Sequence, residues 1–578
     1  MKQFQKRLNW LAESNPQWFR EVKGRLQPRN LVIATFFSLA AQLLIIMGFR
    51  AQLPYADEPG IFNRYCLGSP PPGWDGYQDP SRYIPNNYCN QDLLGNLVIN
   101  WQLWWLDMFL SLSVVMIVAL LVMGTYLLIA DLSREERRGT LNFIRMSPES
   151  AKNILLGKLL GVPILVYLAV GLTLPLHLGA GLGAHIPFTL ILAFYAVLAA
   201  ACLFYYRLSQ IVGLAAGVWV GLTGWVVAGA VWFFTTTMTA IAQSGFRITH
   251  SLIDWIPMFY PGTALMYLVD ATYLPIKTAK AFNGEQWIDL LWYGQPLWAN
   301  ALTGIGFILL NYALWSYWLG KGLERCFRNP SATLQSKKQS YIISACFVFI
   351  LTGFILQQSR SWDYLENFVL VQITLILFTV LLIAATSPHR QTLQDWMRYR
   401  HQLPDRYPSL LKELMFAEKS PAILAIALNI AMITLYLIPT VLILPPADEK
   451  IPLLLSFILG ANLLIICATI AQLVLLLPSP KRGLLATVSV SSFILLPPIF
   501  LGVSGIDPSS IPLPWLSTIL PLIGLKESVI SGGGILVSVL GQWTAIILLN
   551  LQMTKQLKRL NTTRYDLKGL AESNSAKS

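Results

Sequence analysis

Residues 108–130 read MFLSLSVVMIVALLVMGTYLLIA, and residues 131–158 read DLSREERRGTLNFIRMSPESAKNILLGK. The first stretch holds no charged residue. The second holds ten, and it is followed at once by LLGVPILVYLAVGLTLPLHL. An apolar run of about 20 residues is long enough to cross a hydrocarbon core ~30 Å thick. A charged residue at the centre of such a helix costs ~2.5–3.5 kcal/mol, so segment 131–158 stays in water. Two crossings joined by a charged elbow set the pattern for the whole chain.

That pattern recurs from end to end. Of 578 residues, 55% are hydrophobic and 12% charged, against about 25% charged in soluble domains. The fold class expected is an all-α polytopic membrane protein. Hydropathy predicts twelve spans, near 31–49, 101–130, 159–178, 186–206, 211–233, 298–319, 341–357, 367–386, 422–444, 451–477, 483–502 and 533–551. Twelve spans place both termini on one side. The segments on that side carry 33 of the 42 Lys and Arg, while the other side carries more acids than bases. Basic residues collect on the cytoplasmic side, so the termini are predicted to be cytoplasmic in a plasma (inner) membrane. The net charge of +13 is then mostly topology. No basic run is long or dense, so nucleic acid is not an expected partner, whereas membrane lipid is. The first 30 residues are polar and basic and carry no signal-peptide pattern.

Cys66 and Cys89 share the polar loop 50–100, rich in Pro, Gly, Asn and Tyr; they are either bridged on an oxidising face or two free thiols. Cys202, Cys346 and Cys467 fall in spans, and Cys326 has no sequence neighbour to pair with. No metal-ligand spacing occurs, and the five histidines are scattered. His177 and His185 are expected at a solvent-facing turn. Asp107, among Trp101, Trp104 and Trp105, reads as an interface residue.

The spans divide as six plus six. LLIA from Leu127 and LLIA from Leu381 are each followed by a polar stretch and Arg-x-Thr-Leu, at Arg138–Leu141 and Arg390–Leu393. Trp255 precedes Pro261 at the same spacing as Trp515 precedes Pro521. A rival register matches NPQWFREVKGRLQP with YPSLLKELMFAEKSP. The expected organisation is an interface segment (1–30), a first unit (31–320) with coupling segment 131–158 and an outer gate segment 234–297, a second unit (321–551) with coupling-like segment 387–421, and a basic tail (552–578).

Segment 131–158 carries helix-start chemistry. Ser133 and Glu136 fit a capping box, Leu141, Ile144 and Phe143 offer an apolar strip, and Gly139 permits a bend. Ser147-Pro148-Glu149 has the form of a second helix start. Taken in order, Glu135 or Glu136, Gly139-Thr140-Leu141, Ile144, Pro148 and Gly157-Lys158 resemble the coupling segment of type-2 ABC-transporter permeases. The resemblance covers residues 1–320 well and 321–578 in outline, where Gln391 replaces the glycine and no Gly-Lys follows.

The resemblance implies a fused permease subunit of an ATP-driven exporter, with Glu135, Glu136, Arg138, Gly139, Thr140, Leu141 and Pro148 coupling it to a cytoplasmic ATPase. Arg390, Thr392 and Leu393 would be the weaker counterpart, so that one chain binds two ATPase copies. The amphipathic stretch 9–26, with Trp10, Leu11, Trp18, Phe19 and Val22, would lie on the membrane. No GxxxxGK[ST] is present, so ATP would be bound by the partner subunit. Neither a cofactor nor enzymatic activity is expected of the chain itself.

All 42 bases and nearly every acid fall outside the predicted spans. Gradient-driven carriers place ionisable relays at mid-membrane, which counts against a twelve-span secondary carrier. A membrane-embedded lipid-modifying enzyme would need an acid or histidine cluster at a membrane face. Gly213, Gly217 and Gly221 provide a small-residue stripe for close helix packing. The aromatics of 234–297 (Trp255, Phe259, Tyr260, Tyr267, Tyr273, Trp287, Trp292, Tyr293) suit either a membrane-boundary belt or a gate.

Overall fold

The computed structural model describes residues 15–54, 62–68, 87–93, 95–215, 220–244, 249–274, 281–282, 289–356, 364–402, 409–526 and 532–575. Among these, twelve helices are long and apolar enough to cross a membrane, and strands are limited to two short hairpins. In chain order the helices begin with α1 (Pro16–Arg25), α2 (Pro28–Ala51) and α3 (Trp101–Arg137), the last with a π-helical turn at Ala119–Met123. Next come α4 (Thr140–Arg145), α5 (Ala151–Gly161), α6 (Ile164–Gly183), α7 (Phe188–Ala215) and α8 (Val220–Ser244). The short α9 (Leu265–Asp270) and the span α10 (Ala301–Arg328) follow.

The remaining helices are α11 (Lys337–Ile355), α12 (Tyr364–Thr386), α13 (Arg390–Gln402), α14 (Leu410–Phe416), α15 (Ile423–Ile443), α16 (Ala447–Leu475), α17 (Arg482–Val503), α18 (Leu513–Leu516), α19 (Pro521–Lys526) and α20 (Gly532–Ser575). The chain forms two compact units that divide between Glu324 and Arg325, with Thr249–Trp255 and Leu291–Gln295 belonging to the second.

In the first unit α2 packs on α6, and α3 packs on α6, α7 and α8. The π turn has a local cause. The Tyr206 hydroxyl donates to the Leu120 carbonyl at 2.8 Å, and a Cβ at Gly124 would lie 2.2 Å from that hydroxyl. Glycine lets the ring seat, and the widened turn presents the carbonyl to it. Of the glycine stripe, Gly213 is described in full: a Cβ there would meet Leu132 of α3 at 3.0 Å, so it serves packing inside this unit. Gly217 lies outside the described residues.

Hairpin β1 (Phe62–Asn63) and β2 (Asn87–Tyr88) closes the loop after α2, and Cys66 and Cys89 are joined as a disulfide. This settles the two alternatives in favour of the bridge. Asp107 accepts both the Arg64 guanidinium (2.8 and 2.9 Å) and the Tyr65 hydroxyl (3.1 Å). It is therefore an internal anchor for the loop rather than a bare interface residue. Thiol alkylation of the denatured, unreduced protein is expected to label four cysteines; reduction beforehand should raise the number by the bridged pair.

In the second unit α16 is central, packed against α12, α15, α17, α19 and α20. Its core is aliphatic, built on Ile426, Ile430, Leu463, Cys467 and Ala471. The LLIA echo has a structural counterpart: Leu128 and Ile129 in α3, and Leu382 and Ile383 in α12, are buried alike.

Segment 234–297 contains two short helical stretches, Leu252–Phe259 and Pro261–Asp270, bent by 95°. Of its described aromatics, Trp255 and Tyr260 are buried, and Phe259, Tyr267, Trp292 and Tyr293 are half-buried. Trp255 stacks on Phe354, Tyr260 bonds the Thr239 hydroxyl at 2.6 Å, and the Tyr267 hydroxyl donates to the Trp298 carbonyl at 2.9 Å. Tyr273 stands out at 93% exposure; Trp287 lies outside the described residues.

Candidate functional site

The charged elbow is the most constructed polar feature of the first unit. The expected capping box at Ser133 does not form. The α3 helix runs unbroken through that position to Arg137, and the Ser133 hydroxyl faces the Gly213 carbonyl at 3.4 Å. Propagating an existing helix adds one hydrogen bond per residue, whereas starting a new one is costly. The helix stops instead at Gly139, whose φ of +71° lies in the left-handed region. The second expected start is displaced as well: Ser150, not Ser147, caps the next helix, accepting from the Asn153 N–H at 3.1 Å. Pro148 is exposed in the turn before it.

Nothing lies within 4 Å of a Cβ built at Gly139, so only its backbone conformation demands glycine. Gly139→Ala is expected to cost about 1–2 kcal/mol, with Gly139→Asn recovering much of the loss. Thermal unfolding of the three proteins in detergent checks this.

Helix α4 has two faces. Leu141 and Ile144 are buried at 0% and 6% exposure, while Phe143 and Met146 stand at 81% and 84%. The expected strip therefore forms from Leu141 and Ile144, and Phe143 points the other way. Thr140 ties the elbow back through its hydroxyl to the Glu135 carbonyl (3.2 Å), and Glu136 pairs with Arg145 at 3.4 Å. Arg138 is exposed.

Beneath the elbow lies a network that sequence reading reached only in part. The Lys158 ammonium, fully buried, sits 2.7 Å from Asp131, 2.7 Å from Glu135 and 3.4 Å from Glu21. Arg25 reaches Asp131 at 2.6 Å and Glu21 at 3.2 Å; Arg20 reaches Glu135 at 2.9 Å. Three cations face three carboxylates. The carboxylates converge as they would on a metal ion, and the lysine ammonium occupies that centre. Burial lowers the Lys158 pKa, but Asp131, Glu21 and Glu135 outweigh it and hold it above the ordinary lysine value.

This network ties α1 to the ends of α3 and α5. Two glycines on α5 make the approach close. A Cβ at Gly157 would lie 2.6 Å from the Asn15 side chain, and one at Gly161 would lie 2.5 Å from the Glu21 Cβ. Asn15 caps α1 by accepting from the Trp18 N–H (2.8 Å) and donates to the Asn153 carbonyl (2.8 Å). The amphipathic helix expected at 9–26 is thus present over Pro16–Arg25. It buries Gln17 and Glu21 against protein and leaves Trp18, Phe19 and Val22 half-exposed. Trp10 and Leu11 lie outside the described residues. Polar side inward and apolar side outward is the orientation of a helix at a lipid surface.

The second unit has a different counterpart. Arg390 begins α13, with Thr392 half-buried and Leu393 fully buried against Ile423, Leu476, Met553 and Leu557. Glu413 of α14, 4% exposed, accepts the Trp396 indole N–H (3.1 Å) and the Arg400 guanidinium. The buried Lys337 ammonium donates to the Leu414 and Pro421 carbonyls (2.8 Å each) and to the Ser420 hydroxyl (2.7 Å). Glu21 and Glu413 occupy matching places in the rival register, NPQWFRE and YPSLLKE, each on a short helix before a span. The buried acids and lysines were illegible because sequence marks a charge without marking its burial.

His177 is corrected outright. It lies inside α6 at 0% exposure, against the Phe109 ring at 4.1 Å. Its Nε2 is 2.8 Å from the Ser113 hydroxyl and its Nδ1 2.7 Å from the Tyr195 hydroxyl. Ser113 donates to the Phe109 carbonyl at 2.8 Å. A neutral imidazole satisfies the whole chain when Nε2–H donates to Ser113 and Nδ1 accepts from Tyr195. His185 is exposed at the turn, as expected.

The chain matches no protein-family model, no curated protein and no solved structure.

Proposed function

We propose that the chain is the membrane subunit of an ATP-driven exporter, moved by a separate cytoplasmic ATPase that grips the α4 elbow. The observation that carries this reading is the pair Phe143 and Met146. Both stand free on a helix whose other face is buried and whose base is held by six charged groups. A charge-held support under two exposed apolar side chains, a few residues after the exposed Arg137 and Arg138, suits a protein docking surface. The bias of Lys and Arg toward this side of the chain supports a cytoplasmic elbow and cytoplasmic termini in a plasma (inner) membrane. Without a phosphate-cradling motif in this sequence, the nucleotide belongs to the partner. The coupling-like segment at Arg390–Leu393 would receive a second copy, with Leu393 stiffening the helix from beneath rather than touching the partner.

The test is affinity purification of the tagged chain from its native membranes in mild detergent. An ATPase should be retained in near-stoichiometric amount, with its hydrolysis rate raised by the membrane subunit. Solute movement by the purified chain alone, with no ATPase in the vesicle, would reject the reading.

One observation favours a rival. An ionisable side chain buried within a span is a default functional candidate, and His177 with Ser113 and Tyr195 would suit a proton-coupled carrier. That reading requires uptake driven by a pH gradient without nucleotide, abolished by His177→Gln.

A further inference from the structure

We propose that the second unit holds a binding site for an uncharged, hydroxyl-bearing amphiphile, in a groove bordered by α11, α15 and Tyr293. The groove measures about 550 Å³, within the ~300–1,000 Å³ usual for ligand sites. Leu356, Met432, Leu435, Tyr436 and Pro439 are among the residues around it, and no residue that lines it carries a full charge. An anionic or cationic headgroup would enter without a counter-charge, at a desolvation cost nothing here offsets. The walls come largely from two membrane-crossing helices, so an alkyl chain is the matching body for the occupant.

Two polar points select its head. Pro439 lies inside α15 and has no N–H, so the Leu435 carbonyl is left without its helical donor. Leu435 and Pro439 both line the groove, so we take that carbonyl as the first polar point offered to an occupant. The second point is a pair of tyrosines. The Tyr293 hydroxyl donates to the Phe349 carbonyl at 2.7 Å, and the Tyr436 hydroxyl lies 3.3 Å from the Tyr293 oxygen. With the Tyr293 proton committed, Tyr436 is the donor of that pair, and its own oxygen keeps open lone pairs. A hydroxyl on the occupant donates to the Leu435 carbonyl or to the open lone pairs of the Tyr436 oxygen. Monoacylglycerols and long-chain alcohols have this combination of alkyl body and neutral hydroxyl head. Free fatty acids, which are anionic, do not.

The probe is a monoacylglycerol with a diazirine in its chain, added to the full chain in phosphatidylcholine nanodiscs without nucleotide or partner. The assay is therefore independent of the transport reading. Photolabelling mapped by mass spectrometry should concentrate on the peptide spanning Met432–Ile443 and on Tyr293, with a diazirine fatty acid labelling at least fivefold less. Pro439→Ala returns the missing N–H to the helix, and Tyr436→Phe removes the second contact. Each should weaken binding about fivefold, the scale of one ordinary hydrogen bond. Pro439→Ala removes a helix breaker and is expected to fold as well as the parent. Label spread evenly onto the lipid-facing residues of α17, such as Leu495, Ile499 and Phe500, would overturn the proposal. Equal binding by Pro439→Ala and Tyr436→Phe would overturn it too.

Discussion

Replacing Lys158 by Met is expected to release the amino-terminal helix. The substitution keeps a long side chain but leaves Glu21, Asp131 and Glu135 facing one another with only Arg20 and Arg25 to answer them. Removing one partner from a buried ion network costs about 3–5 kcal/mol, because the charges left behind stay desolvated. Trypsin should then cut at Arg20, Lys23 and Arg25 far faster than in the parent, and the apparent melting temperature should fall. The pH dependence distinguishes charge from packing. The folded pKa of Lys158 lies above its ordinary value. Its contribution is therefore complete below about pH 10.4, the free-lysine value, and is lost as pH rises through the raised folded value. The stability gap between parent and variant should be flat from neutral to mildly alkaline pH and close only beyond it. A gap that does not change at any alkaline pH would assign the effect to shape alone.

The second large effect concerns the elbow tip. Phe143→Asp with Met146→Asp should leave folding almost untouched, within about 0.5 kcal/mol, because both sites are exposed. Partner retention, by contrast, should fall about 30-fold or more if the pair forms a docking hot spot. Leu141→Asp is the contrasting control. It buries a charge at a fully enclosed site and should lower stability together with retention. ATPase retention equal to the parent in the tip variant would remove Phe143 and Met146 from any docking role.

How much of this was legible in the sequence differs by element. The twelve helices were, because a run of apolar residues the width of a bilayer has few other solutions. The bend at Gly139 was also legible, since only glycine takes the left-handed region freely. The local starts at Ser133 and Ser147 were misread: short capping patterns yield to a helix already in progress. His177 was misread because its hydrogen-bond partners, Ser113 and Tyr195, come from two other helices. Glu21, Asp131, Lys337 and Glu413 were hidden for the same reason. Lys158 was visible only as half of a Gly-Lys pair; its three carboxylate partners come from residues 21, 131 and 135.

The π turn at Ala119–Met123 is the one interruption of the regular hydrogen-bond ladder along α3. The helix is 37 residues long, about 55 Å at 1.5 Å per residue, and its lower end is welded by charge to two other segments. Beyond the Gly139 bend, the root of the rod is held by charge at Asp131 and Glu135. Were the elbow pulled as proposed, the break in the regular ladder at residues 119–123, propped by a single tyrosine hydroxyl, would be where bending of the shaft concentrates.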